Sequence, residues 1–290
     1  MLRYNSSLVC KAGYTGVEMA TLTFMNHTIF DHGASSKLGQ VLALHEIRKP
    51  LLCTDRGLVG LGMVDALAGN LGNDAALTIF DGTPENPTQI AVEDAVAQYL
   101  EAGCDGVVAL GGGSSMDLAK AVALAVTHEG DLIEYTAGVG GAGKIGQIAP
   151  LIAIPTTSGT GSEVSSGAVI IMKNGEKLIL ASRELVPRTA ICDPSLTLDL
   201  PPRLTAATGM DAMTHCIEAL LSPQVNPPAE AVACDGIERG IRDRHLLQAV
   251  KDGKNEDARW HMMMAASEGA MAFSKGLGAV HSMSHACGAD

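Results

Sequence analysis

The sequence predicts an α/β fold in two parts: a doubly wound parallel sheet first, then an all-helical domain. Three observations support this. Short apolar runs alternate with longer helical windows through the first two-thirds of the chain. The β signal then stops after the proline-punctuated stretch Asp193–Pro202. The length of 290 residues exceeds what one hydrophobic core usually holds.

Taken in order, residues 1–18 (MLRYNSSLVCKAGYTGVE) lack a signal-peptide core and are expected to lie outside the fold as an extension. Candidate strands follow at Pro50–Thr54, Ala76–Phe80, Gly106–Leu110, Ile148–Ile154 and Thr189–Cys192. Their near-continuous apolar character is that of parallel strands covered on both faces. Helical windows lie between them at Ala34–Ile47, Thr88–Glu101 and Met116–His128, giving the βαβα order of a doubly wound layer. Beyond the prolines, Thr205–Leu221, Ala229–Arg242, Glu256–Phe273 and Ala279–Cys287 all read as helix. The expected domains are therefore 19–195 and 196–290. Met262, Met263, Met264, Met271 and Phe273 read as a core stripe of the second domain, short of partners if that domain is incomplete.

Composition narrows the function. A net charge of −12 without a Lys/Arg block argues against nucleic acid or an anionic membrane as partner. No run approaches the ~18–20 apolar residues of a membrane span. Seven cysteines without a CxxC read as reduced core thiols of a cytoplasmic protein.

The strongest local motif is GVVALGGGSSMDLAKAVAL, an apolar strand, then Gly111, Gly112, Gly113, Ser114 and Ser115, then a helix expected from about Asp117. Glycines let the backbone approach a pyrophosphate, and the helix N-terminus offers free N–H groups; the bland reading is a tight turn capped by Ser114. A second loop, Pro155–Ser162, also follows an apolar strand and carries Thr156, Thr157 and Thr160. It either lines a ligand or is a hydroxyl-capped turn. Asp55 ends the strand PLLCT, where a carboxylate can accept from an adenosine ribose hydroxyl or merely cap a helix. All three fall at expected strand C-termini, the ligand-binding edge of open α/β sheets.

In the helical part, Asp211 and His215 are spaced by four, as are His281 and His285. Each pair lies on one helical face, one turn apart, where the side chains can converge on one cation. Carboxylate plus imidazole suits Fe²⁺ or Zn²⁺ and can leave a coordination position open for substrate. The competing reading is a surface pair or a satisfied core histidine.

With these motifs in their order, the sequence resembles the iron-containing (metal-dependent, group III) alcohol dehydrogenase family, of the dehydroquinate synthase-like fold. The resemblance runs from Met19 to Asp290 through FDHGA, TDRGL, ENPT, GGGSSMD, PTTSGTGSE, TGMDAMTHCIEA and KGLGAVHSMSH. It implies that Asp55, Asn86, Gly112, Gly113, Ser114, Asp117, Thr156, Thr157, Thr160 and Lys177 contact a dinucleotide. The acidic Asp55 favours NAD over NADP. It also implies Asp211, His215 and His281 as metal ligands, with His285 in the pocket beside metal and nicotinamide. The expected activity is NAD-dependent hydride transfer on a small primary alcohol or hydroxy acid, in a homo-oligomer. A further family histidine beyond the HxxxH helix has no counterpart before Asp290, so the helical domain is expected to be incomplete. Two alternatives stand beside this: a catalytically impaired NAD-binding fragment, and a dehydroquinate synthase-like carbon–oxygen lyase.

Overall fold

A computed structural model describes residues 20–23, 26–71 and 76–287. The expected 1–18 extension lies outside the described residues. Among them run, in chain order, β1 (Ala20–Thr23), β2 (His27–Phe30), α1 (Leu38–Leu44), β3 (Pro50–Cys53), α2 (Arg56–Gly60), α3 (Met63–Ala68) and β4 (Thr78–Phe80). Then come α4 (Gln89–Ala102), β5 (Gly106–Gly111), α5 (Gly113–Ala125), β6 (Leu151–Pro155), β7 (Gly167–Ile171), β8 (Lys177–Ala181) and β9 (Thr189–Cys192). The remainder is helical: α6 (Pro202–Leu221), α7 (Pro227–Ile237), α8 (His245–Lys251), α9 (Glu256–Ala272) and α10 (Ala279–Cys287).

The main sheet has the order β1-β2-β9-β6-β5-β3-β4. Its six strands from β2 to β4 are parallel, and β1 joins antiparallel at the β2 edge. Successive strand residues feed opposite cores. Leu51, Val107, Ala109, Leu151 and Ala153 face α4 and α5, whereas Leu52, Val108, Leu110, Ile152 and Ile154 face α1 and α3. Both faces are thus covered, which is why these strands are apolar without alternation. Thr88 starts α4 by accepting from Ala91 N, and Gly103 ends it in the left-handed conformation.

The structure corrects several expected boundaries. Helix α5 begins at Gly113, not near Asp117, because Gly112 takes the N-cap position. Strand β6 begins at Leu151, not Ile148, and the window from Ala34 is a 3-10 turn before α1. The short β1 and β2, the antiparallel hairpin β7–β8 and helix α8 had no counterpart in the sequence reading.

In the helical region α6 packs against α7, α8 and α9. Buried Arg259 on α9 donates to Thr205 Oγ1, Leu200 O and Gly253 O, fixing α9 to the start of α6. The methionine stripe does not lack partners: Met263, Met264 and Met271 pack with Phe30, Val164, Ala190 and Cys192 from the sheet side. The thiol expectation holds for buried Cys53, Cys104, Cys192 and Cys216, whereas Cys234 and Cys287 are exposed; these six are free. Cys10 lies outside the described residues. Among those residues, no helix is long and apolar enough to cross a membrane.

Candidate active site

The carboxyl ends of β5 and β6 open onto a cleft of about 310 Å³. Eight of the ten residues expected to contact a dinucleotide line it: Asn86, Gly112, Gly113, Ser114, Asp117, Thr157, Thr160 and Lys177. The glycines serve first to interlock the two loops. A Cβ at Gly113 would stand 2.7 Å from Thr160 Cγ2, and Gly111 has φ of 151° with its Cβ position 2.4 Å from Ser115 Oγ. No side chain caps α5 at Gly112, so its first-turn N–H groups and the positive dipole end are available to a phosphate.

The polar side chains here are held by one another. Ser114 Oγ donates to Glu85 O. Lys177 Nζ donates to Asn86 Oδ1 at 3.0 Å, bringing β8 to the ENPT loop. Asp117 accepts from Ser162 Oγ at 2.7 Å and from Val169 N at 2.9 Å, tying α5 to the second loop and to β7. Beneath them Lys120, fully buried, donates to Ser162 Oγ, Ser165 Oγ, Ser165 O and Gly167 O. Burial pushes its ammonium pKa down to about 8, against the neighbouring Asp117 and Glu163 charges.

Two expected contacts stand apart. Thr156 is buried below the cleft, its N–H donating to Gly111 O at 3.0 Å. Asp55 sits past the end of β3 and accepts from Leu58 N at 3.1 Å as the N-cap of α2. It lies at the same edge of the sheet as the cleft without lining it.

A second cavity, about 330 Å³, continues from the first through shared Asp117, Thr160 and Val169. Asp211, His215 and His281 form its far wall, together with Phe273 and Leu277. Helix α6 presents Asp211 and His215 one turn apart, and α10 brings in His281. Asp211 Oδ1 lies 3.4 Å from His281 Nε2 and 3.9 Å from His215 Nε2. The two imidazoles stack at 4.3 Å, and donor atoms of all three residues lie within 4.8 Å of one another. Ligands ~2.0–2.2 Å from a shared ion stand roughly 3.3 Å apart in tetrahedral geometry, so one oxygen and two nitrogens here suit a divalent cation. Electrostatics divide the two rings in the absence of an ion. Burial drops the His215 pKa to about 4, keeping that ring neutral at pH 7. The hydrogen bond to Asp211 raises that of His281 despite its burial. His285 lies on α10 one turn past His281, and its side chain is outside what the structure describes.

Sequence reasoning missed Glu218. This buried carboxylate accepts from His281 Nδ1 at 2.6 Å and from the backbone N–H of Gly278, Val280 and His281. Burial alone would raise its pKa, but these donors hold it down at about 2. Its spacing carried a signal: Asp211, His215 and Glu218 fall at i, i+4 and i+7, one face of α6.

A second group, His245, Asp257 and His261, also has donor atoms within 4.8 Å. Arg239 decides against it. Its Nη1 donates to His261 Nδ1 at 3.0 Å, so the neutral ring carries its proton on Nε2, the atom facing Asp257 at 3.8 Å. A guanidinium charge and a protonated Nε2 together oppose a cation.

Comparison with known proteins places this arrangement. Residues 26–194 match the family described as iron-containing alcohol dehydrogenase, and 205–290 match its C-terminal part. The chain belongs to the iron-containing alcohol dehydrogenase family. It is 52% identical over 275 residues to a 4-hydroxybutyrate dehydrogenase of Cupriavidus necator, covering 93% of this chain and 70% of that one. It is 38% identical over 268 residues to a 1,3-propanediol dehydrogenase of Klebsiella pneumoniae, covering 91% and 68%. Among solved structures it resembles a 1,3-propanediol oxidoreductase with a TM-score of 0.84 at 36% identity, covering 94% and 70%. It also resembles a sulfoacetaldehyde reductase from Bifidobacterium kashiwanohense in complex with NAD+, with a TM-score of 0.81 at 30% identity, covering 89% and 68%. These relatives of the iron-containing alcohol dehydrogenase family are named as oxidoreductases, not as lyases.

Proposed function

We propose that this chain carries out NAD-dependent, metal-assisted hydride transfer between NAD and a small primary alcohol or hydroxy acid. The observation that carries the reading is the continuity of the two cavities. A nucleotide held at the α5 N-terminus would extend through Asp117 and Thr160 toward Asp211, His215 and His281. The loop backbone and the α5 dipole hold the phosphates, while Asn86 and Lys177 close the side of the cleft. Asp211, His215 and His281 hold a divalent ion, Fe²⁺ first by family and Zn²⁺ second. When bound, such an ion would supply Lewis acidity at the alcohol oxygen, and NAD would supply the hydride acceptor.

The chain's own residues shape the rest. Ser166 borders the cavity together with the apolar Phe273, Leu277 and Ile179, while the Ser162 and Ser165 hydroxyls are engaged by buried Lys120. A mostly apolar lining with a polar residue at its edge suits a short chain with a second polar end, a diol or a hydroxy acid, which agrees with the names of the relatives. Buried free thiols suit a reducing, cytoplasmic setting. The test is NADH formation by the purified chain supplied with Fe²⁺ or Zn²⁺ and 4-hydroxybutyrate, 1,3-propanediol or short monoalcohols. Metal-dependent turnover on one of the bifunctional substrates is expected. Nucleotide binding with no metal-dependent turnover on any of them would overturn the reading.

A further inference from the structure

We infer that Glu218 is a positioning residue that sets the tautomer of His281 and docks α10 onto α6, so that divalent-metal affinity depends on a carboxylate that is not itself a ligand. This rests on the proposed metal role of Asp211, His215 and His281.

Three backbone N–H groups, of Gly278 at 3.0 Å, Val280 at 2.7 Å and His281 at 3.4 Å, converge on the Glu218 carboxylate. A backbone N–H donates and does nothing else, so the two oxygens are committed as acceptors. The fourth neighbour, His281 Nδ1 at 2.6 Å, must then donate as well. In a neutral imidazole that proton on Nδ1 leaves the lone pair on Nε2, the nitrogen directed at Asp211. The opposite tautomer would put a proton where the cation belongs.

The same contacts place the helix. The N–H groups held by Glu218 belong to the first turn of α10 and the residue before it, so the carboxylate acts as a cap supplied from another helix. Val280 and Met283 on α10 are largely exposed, and apolar packing therefore does little to fix it. One side chain thus aims the imidazole and seats the helix carrying it. Glu218 itself is within hydrogen-bond reach of His281 Nδ1 but does not line the cavity, which Asp211, His215 and His281 do.

A double-mutant cycle on metal affinity tests the inference, using metal-free protein titrated with Zn²⁺ against a competing chelator. Glu218→Ala should weaken Zn²⁺ binding ~10–100-fold, the usual effect of removing a carboxylate that orients a metal-bound histidine. In a His281→Ala background the same substitution should change affinity less than about threefold, because Glu218 acts through that ring. NADH affinity, measured alongside, should stay within about threefold and reports that the protein is folded. If Glu218→Ala folds poorly, Glu218→Gln replaces it in the same cycle under the same coupling criterion. An equal loss in both backgrounds, or no loss in either, overturns the inference. Failure of the wild-type chain to bind Zn²⁺, or unchanged binding by His281→Ala, would instead overturn the metal assignment beneath it.

Discussion

Lys120 and Asp117 are joined through one hydroxyl: the buried ammonium donates to Ser162 Oγ at 2.8 Å, and Ser162 donates onward to Asp117 at 2.7 Å. The two residues lie three apart on α5, so a buried cation beneath the cleft orients a carboxylate that lines both of its halves.

Lys120→Met should therefore destabilise the protein by about 3 kcal/mol, since it strands several buried acceptors at ~1–3 kcal/mol each. Urea unfolding at pH 7 measures this. NADH affinity should fall as well, because Asp117 and the second loop lose their support.

The same lysine predicts a pH dependence. Burial lowers its folded pKa to about 8 from 10.5. The cost of burying the charge is fully present below pH 8 and is relieved as pH rises towards 10.5, so this residue's contribution to stability grows across that window. The stability difference between wild type and Lys120→Met should increase from pH 8 to pH 10 by no more than ~1.4 kcal/mol per unit. A flat or falling difference would refute the assignment.

Gly113→Ala should disrupt the cleft, because its Cβ would meet Thr160 Cγ2 at 2.7 Å. A loss of ~1–3 kcal/mol is expected from such overpacking, together with weaker NADH binding. Thr160→Ser, which removes the clashing methyl, should recover much of the loss in the double variant. Additive losses would show that the two loops do not interlock through this contact.

Asp55→Gly should narrow the preference for NAD over NADP and cost a few tenths of a kcal/mol through the weakened cap of α2. Asp55→Asn retains a capping oxygen and removes the charge. Paired fluorescence titrations with both nucleotides separate the two effects, and equal preference in all three proteins would remove Asp55 from the cofactor site.

Metal stoichiometry discriminates the two histidine clusters. Tight binding of one divalent ion per chain is expected, abolished by His215→Ala and untouched by His261→Ala. A second tight site lost with His261→Ala would show that Arg239 does not govern that cluster.

Much of this was legible in the sequence because parallel strands advertise themselves. The fully buried run Gly106–Gly111 and its glycine turn admit few other readings. Helix α6 was equally plain, since prolines start it and a histidine and an aspartate share its face. The β7–β8 hairpin was less visible, although Asn174-Gly175 between two apolar runs carries a turn signal. Strands β1 and β2, ATLT and HTIF, are half polar and so lack the unbroken apolar run by which the equally short β3 is recognised. Glu218 and Lys120 escaped for another reason: a buried charge is intelligible only through its partners, which lie up to 63 residues away in sequence. Asp55 shows the converse, since its capping bond is local while any ribose contact is not.

The donors on α6 and α10 are separated in sequence by α7, α8 and α9. An ion gripped by both would fasten a long excursion of chain at its base, and the free energy of its capture would be conserved as folding energy. Supply of the ion would then govern how long the polypeptide survives as well as how fast it works. Chelation would show itself first as proteolytic nicking near Gly276 and Gly278, where the tether to the last helix begins.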